Sequence, residues 1–82
     1  MDEARRVQRQ IRAVLIVFRA EKARLEPLIQ SGDAREEQLD GLRERSVDIL
    51  DVVRARLDGG AAWHAQLLME LAEARAEVNA PD

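Results

Sequence analysis

The sequence predicts a small all-α domain of three helices, built on a long antiparallel helical hairpin and assembled as an oligomer. Three segments carry apolar residues at helical spacing, and turn-forming residues separate them. Of the 82 residues, 35% are charged, 46% are hydrophobic and only 2% are aromatic. A composition dominated by Ala, Leu, Glu and Arg is typical of helical bundles and coiled coils. We therefore expect one domain over residues 1–82, with helices at about 2–25, 34–57 and 61–78.

The first predicted helix contains the most apolar run of the chain, from Val14 to Phe18. An apolar stripe recurs along it at steps of three, four and seven residues: Val7, Ile11, Val14, Phe18 and Leu25. Ile16 and Val17 point in other directions, so this helix is expected to make contacts on more than one side. Pro27 removes a backbone hydrogen bond and disfavours helical geometry in the residue before it, so the helix should end or kink there.

The second predicted helix follows a turn in which Gly32 suits a left-handed cap, while Asp33 and Glu36 have the spacing of a capping box. Its apolar stripe should pack against the first helix at a shallow angle. The stripe comprises Leu39, Leu42, Ile49, Leu50, Val53 and Leu57, with Ser46 in its middle. Acids occupy the opposite side: Glu37, Asp40, Glu44, Asp48 and Asp51. Gly41 costs about 1 kcal/mol relative to alanine. We expect it to be tolerated on an exposed face, and a close backbone approach is the alternative.

The third predicted helix begins after Asp58-Gly59-Gly60, where a left-handed glycine is the natural cap for the helix before it. One side carries Leu67, Leu68, Leu71, Ala74 and Val78. The other carries small residues and one methionine: Ala65, Met69, Ala72 and Ala76. Small residues on a second face let another helix come near, so this helix too is expected to be buried on two sides.

Length and charge add two constraints. A chain of this size buries only about 60% of its unfolded surface, so oligomerisation is a reasonable source of extra burial. Cysteine is absent, and disulfides therefore cannot supply stability. Residues 1–26 carry seven basic and four acidic side chains, whereas residues 27–82 carry six and twelve. No run is long enough to span a bilayer and no signal-peptide pattern is present, so we expect a soluble, cytoplasmic protein.

The sequence shows no catalytic constellation. His64 is the single histidine, and no serine or second histidine is spaced to act with it. We expect it and the neighbouring Trp63 to be packing residues. The acidic line of the second helix lacks the convergent ligands and the Glu-x-x-His pairs of metal-binding bundles. Neither an enzyme nor a cofactor or metal site is therefore expected.

An arginine stripe on the first helix is the strongest alternative signal for function. Arg5, Arg9, Arg12 and Arg19 share one sector, and cations at helical spacing can contact nucleic-acid phosphates. A recognition-helix pair, an overall basic charge and stacking aromatics do not accompany them. A solvated face or ion pairs between subunits is the favoured interpretation. Membrane attachment is a weaker one, because acids lie near both ends of this helix.

The predicted function is a non-catalytic protein–protein interaction module, such as a small adaptor, chaperone-like or inhibitory protein. It would act through apolar helix faces, as a homo-oligomer, with a dimer favoured, or with another protein. Candidate association residues are those outside the main stripes: Ile16, Val17, Val47, Val52, Trp63 and Met69. The alternative is a dimeric nucleic-acid-associated regulator that uses the arginine stripe.

Overall fold

The computed structural model describes residues 2–57 and 59–81, which form three α-helices and no strand. Helix α1 spans Asp2–Ser31, α2 spans Glu36–Ala55, and α3 spans Ala62–Asn79. The predicted three-helix, all-α domain is confirmed. Within the described ranges, no helix is long and apolar enough to cross a membrane.

Helix α1 continues through Pro27 and ends six residues beyond the predicted boundary. Pro27 and Ala23, whose carbonyl loses its helical partner, are both exposed, so water can satisfy that carbonyl. The predicted left-handed cap is confirmed, because Gly32 has a φ of 84°. Its N–H donates to the Ile29 carbonyl at 3.2 Å, and the next N–H donates to the Leu28 carbonyl at 2.8 Å. This pair of bonds is a Schellman motif, which satisfies carbonyls at the end of α1.

The start of α2 differs from the predicted capping box. Asp33 instead accepts a hydrogen bond from the Ser31 hydroxyl at 2.9 Å, which keeps it in the turn. Arg35 is the residue before the helix, and its N–H donates to the side-chain oxygen of Gln38 at 2.9 Å. Glu36 and Glu37 then occupy the first turn, where negative charge favours the helix dipole.

The end of α2 lies at Ala55, two residues before the predicted boundary. The N–H of Leu57 closes the end with a bond of 2.9 Å to the Arg54 carbonyl. Asp58, part of the predicted cap, lies outside the described residues. Gly59 has a φ of 81° and adopts its left-handed conformation in the loop, beyond the helix end.

The core lies along the axis between the three helices, and all three pack against one another. Most of the predicted stripes are buried there: Val7, Ile11, Phe18, Leu25, Leu39, Leu42, Leu50, Val53, Leu57, Leu67, Leu71, Ala74 and Val78. Val14, Leu15 and Leu68 pack half-buried at its edge. Ile49 was wrongly assigned to the core, since it is 50% exposed and Val47 packs inward instead. Both residues lie at the margins of the α2 stripe, where a small rotation of the helix decides which one is covered.

Polar contacts join α3 to both other helices. Gln8 donates to Glu70 at 3.0 Å, and Arg19 binds Glu77 at 2.6 Å. At these two contacts the residue numbers increase in the same direction along α1 and α3. On α2, the Arg43 side chain donates to the Val78 carbonyl at 3.2 Å. Further along α2, Asp51 accepts from Arg75 at 3.3 Å. At these two contacts the residue numbers increase along α2 but decrease along α3.

The molecule is a thin rod, with extents of 48 × 18 × 16 Å. The 30 residues of α1 correspond to about 45 Å, so this helix runs nearly the full length. The radius of gyration is 14.5 Å, compared with about 12 Å for a globular chain of this length. The shape leaves a core only one layer of side chains deep and an extensive surface.

Candidate protein-interaction surface

Large apolar side chains remain at the surface of all three helices. Their exposed fractions are 64% for Ile16, 59% for Val17, 50% for Ile49, 56% for Val52 and 62% for Met69. Scattered exposed apolar residues are normal, whereas a contiguous group indicates an interaction site. The question is therefore which of these five residues lie together.

The alignment of α1 with α2 along the rod brings four of these five apolar residues together. A groove of about 240 Å³ between these helices is lined by Glu21, Arg24, Leu25, Glu37, Gln38, Gly41, Leu42 and Arg45. Arg24 donates to Glu21 and lowers its pKa, and Arg45 contributes a smaller electrostatic effect, which places its charge near that carboxylate. One turn back along α1 from Glu21 is Val17, and one turn onward along α2 from Arg45 is Ile49. Ile16 precedes Val17 in the chain, and Val52 lies three residues after Ile49.

We call this set, Ile16, Val17, Ile49 and Val52, the α1–α2 face. Three of its residues, Ile16, Val17 and Val52, are among the association candidates predicted from the sequence, and all three are exposed. Ile49 was missed, since its spacing fits the core stripe. Its position at the edge of that stripe was the available signal.

The other candidates for association lie elsewhere. Met69 is exposed on α3, in a row with Ala62, Ala65, Ala72 and Ala76, all exposed. Val47 and Trp63 are half-buried and pack against the core. The Trp63 ring also meets His64 edge to face, with centroids 4.2 Å apart and planes at 86°. Trp63 therefore contributes to packing, and so does His64, which is half-buried beside it.

The arginine stripe of α1 faces acids of α3 over part of its length. Arg12 and Arg19 line a groove of about 270 Å³ with Glu70, Glu73 and Glu77. Arg19 binds Glu77 through two bonds of 2.6 and 2.7 Å. This hydrogen bonding lowers the pKa of Glu77 and raises that of Arg19. A guanidinium already held by a carboxylate is a poor phosphate ligand, which disfavours that role for Arg19. All four arginines of the stripe, Arg5, Arg9, Arg12 and Arg19, are exposed.

The acidic side of α2 faces solvent, as its position opposite the apolar stripe implies. Glu37, Asp40, Glu44, Asp48 and Asp51 are all exposed. No group of three or more acidic or histidine side chains converges on a possible metal position within residues 2–57 and 59–81.

Comparisons with protein-family models, with curated proteins and with solved structures gave no match for this chain. The interpretation of the surface therefore depends on its own chemistry.

Proposed function

We propose that this chain is a non-catalytic protein–protein interaction module that associates with itself through the α1–α2 face. The observation that carries the proposal is the grouping of Ile16, Val17, Ile49 and Val52, each 50% or more exposed, on neighbouring helices. Burying such side chains removes apolar surface from water, at roughly 25 cal/mol for each Å². A second copy presents the same face and can bury it reciprocally.

The surface area supports self-association. The chain has 5730 Å² of accessible surface, while a folded monomer of 9.3 kDa has about 5,000 Å² on average. The excess follows from the rod shape, and one partner of a standard interface buries roughly 800 Å². A face of the rod measures 48 by 18 Å, large enough for such a contact.

The proposal includes an antiparallel α1–α2 hairpin as its scaffold. The polar contacts with α3 support it. The residue numbers of the α3 partners increase along α1 and decrease along α2, as expected if α1 and α2 run in opposite directions. The engagement of Arg19 by Glu77 makes this function better supported than a nucleic-acid-associated regulator. A cytoplasmic location stays a prediction.

The test is sedimentation velocity on the wild type and three aspartate variants over a range of concentrations. Ile16→Asp and Val17→Asp place a charge in the α1–α2 face, and each should convert a dimer to a monomer. Met69→Asp is the matched control, because Met69 is equally exposed but lies on α3. Circular dichroism should show that all variants keep their helices. The proposal fails if the wild type is monomeric throughout, or if the three variants dimerise as it does.

A further inference from the structure

We infer that two copies pack side by side with opposite polarity, α1 on the partner's α1 and α2 on the partner's α2. The inference rests on the proposed function and specifies the geometry of the same face. Three observations carry it: self-complementary residue spacing on α1, the same property on α2, and the coincidence of their centres.

The outward side of α1 has coiled-coil spacing. Exposed residues follow at alternating steps of three and four, and we call them the α1 seam: Ala13, Ile16, Ala20, Ala23 and Pro27. Suppose that two copies of this helix pair in an antiparallel arrangement, with position 18 at the centre of the two-fold axis. Ile16 then lies over the partner's Ala20. Val17 meets the partner's Val17 beside the seam, and Arg12 comes within reach of the partner's Glu26. The large side chain of Ile16 thus meets the small one of Ala20. The attractive pair of Arg12 and Glu26 occurs twice, because the two-fold axis repeats it.

The outward side of α2 repeats this property. Its residues at alternating steps of three and four form the α2 seam: Gln38, Gly41, Arg45, Asp48, Val52 and Ala55. Antiparallel pairing about a point between positions 46 and 47 places Arg45 against the partner's Asp48. The same pairing places Val52 over the partner's Gly41. A Cβ added at Gly41 would meet only the tip of the Arg45 side chain, at 3.2 Å, so the structure of one chain gives no reason for a glycine there.

The two centres lie at the same level of the rod. Position 18 on α1 is three residues before Glu21, which lines one groove with Arg45. The equivalent level on α2 is three residues after Arg45, at position 48. The centre of the α2 seam differs from this by one or two residues, or about 2 Å along the axis. One two-fold axis can therefore satisfy both seams.

In this arrangement two pairs of like charges come close across the interface. In each pair, an ion pair within the chain reduces the repulsion. Arg19 comes opposite the partner's Arg19, but each is bound to Glu77 at 2.6 Å. Asp51 comes near the partner's Glu44, but Arg75 binds it at 3.3 Å.

The parallel alternative is unfavourable. It would set α1 of one copy against α2 of the other with the same ends together. The start of α1, with Arg5, Arg6 and Arg9, would then lie beside the end of the partner's α2, with Arg54 and Arg56. Five exposed arginines from each copy would meet at one end, where α1 supplies only two acids, Asp2 and Glu3.

Disulfide cross-linking tests the orientation, because the chain has no cysteine of its own. In the antiparallel dimer, Ala13 lies over the partner's Ala23. Two copies of Ala13 are then ten residues apart along the axis, about 15 Å, well beyond the roughly 7 Å that a disulfide can bridge. Ala13→Cys and Ala23→Cys should therefore cross-link when mixed under oxidising conditions, and neither should cross-link alone.

Val17→Cys lies near the axis and should cross-link with itself. Ala72→Cys, an exposed alanine on α3, is the control and should remain uncrosslinked. Light scattering on the reduced variants separates two kinds of failure. A monomeric mass contradicts both the proposed function and this geometry. A dimeric mass with cross-links in Ala13→Cys alone and Ala23→Cys alone, or with no cross-links at any position, overturns only the antiparallel geometry.

Discussion

The substitution Gly41→Ala should have opposite effects on folding and on association. Gly41 lies inside α2, where glycine costs about 1 kcal/mol relative to alanine. Its new Cβ would meet only the guanidinium end of Arg45 at 3.2 Å, and that exposed side chain can move aside. The free energy of unfolding of the monomer should therefore increase by about 1 kcal/mol, which raises the melting temperature by roughly 4–8 °C in a domain of this size.

Association should weaken in the same variant. The added methyl groups would meet the partner's Val52 on both sides of the two-fold axis. Overpacking of this kind costs about 1–3 kcal/mol, so the dissociation constant should rise roughly 5- to 150-fold.

The two effects are measured separately. Thermal unfolding followed by circular dichroism in dilute solution reports on the monomer, and sedimentation equilibrium at higher concentration reports on the dimer. Ala72→Gly, a glycine introduced at an exposed position inside α3, is the control and should lower the melting temperature. Dimerisation of Gly41→Ala as tight as that of the wild type would refute the close approach at position 41. A lower melting temperature would refute the reasoning about the helix.

Three further substitutions test the account of the fold. Pro27→Ala should raise the free energy of unfolding by up to about 3 kcal/mol, because it restores a backbone donor inside α1, four residues before its end; an unchanged urea midpoint would contradict this. Phe18→Ala should lower it by about 3–5 kcal/mol, since Phe18 is only 2% exposed. That is a large part of the roughly 4–12 kcal/mol expected for 82 residues, and urea denaturation measures it. Glu77→Gln tests the ion pair with Arg19. Binding to Arg19 lowers the pKa of Glu77 in the folded state. The contribution of the ion pair to the free energy of unfolding is therefore present at neutral pH and disappears as the pH falls through that lowered pKa. The melting temperatures of wild type and variant should therefore differ at pH 7 and converge in acid, and an equal difference at both would exclude this role.

Helical periodicity explains how much of the fold could be predicted. The stripe that contains Val7, Ile11 and Phe18 identifies the buried side of α1, because residues three and four apart share a face. Pro27 was given too much weight as a terminator. A proline on the exposed side of a helix leaves the unpaired carbonyl in water. The position of Pro27 opposite the apolar stripe was the available signal.

The candidate site could be predicted only in part, because it depends on the register between helices. Ile16 and Val17 stand out as apolar residues outside the α1 stripe. Their grouping with Ile49 and Val52 follows from the level at which Glu21 lies near Arg45, which only the tertiary structure gives. The engagement of Arg19 by Glu77, 58 residues away, likewise needs the packing of α3 on α1.

Small-angle X-ray scattering on an absolute scale tests the central claim most directly, because it gives the mass and the longest dimension of the particle together. Side-by-side association should give twice the chain mass of 9.3 kDa with a length close to the 48 Å of a single rod. A mass of one chain at every concentration would contradict self-association. A doubled mass with a doubled length would contradict the α1–α2 face as the surface that is buried.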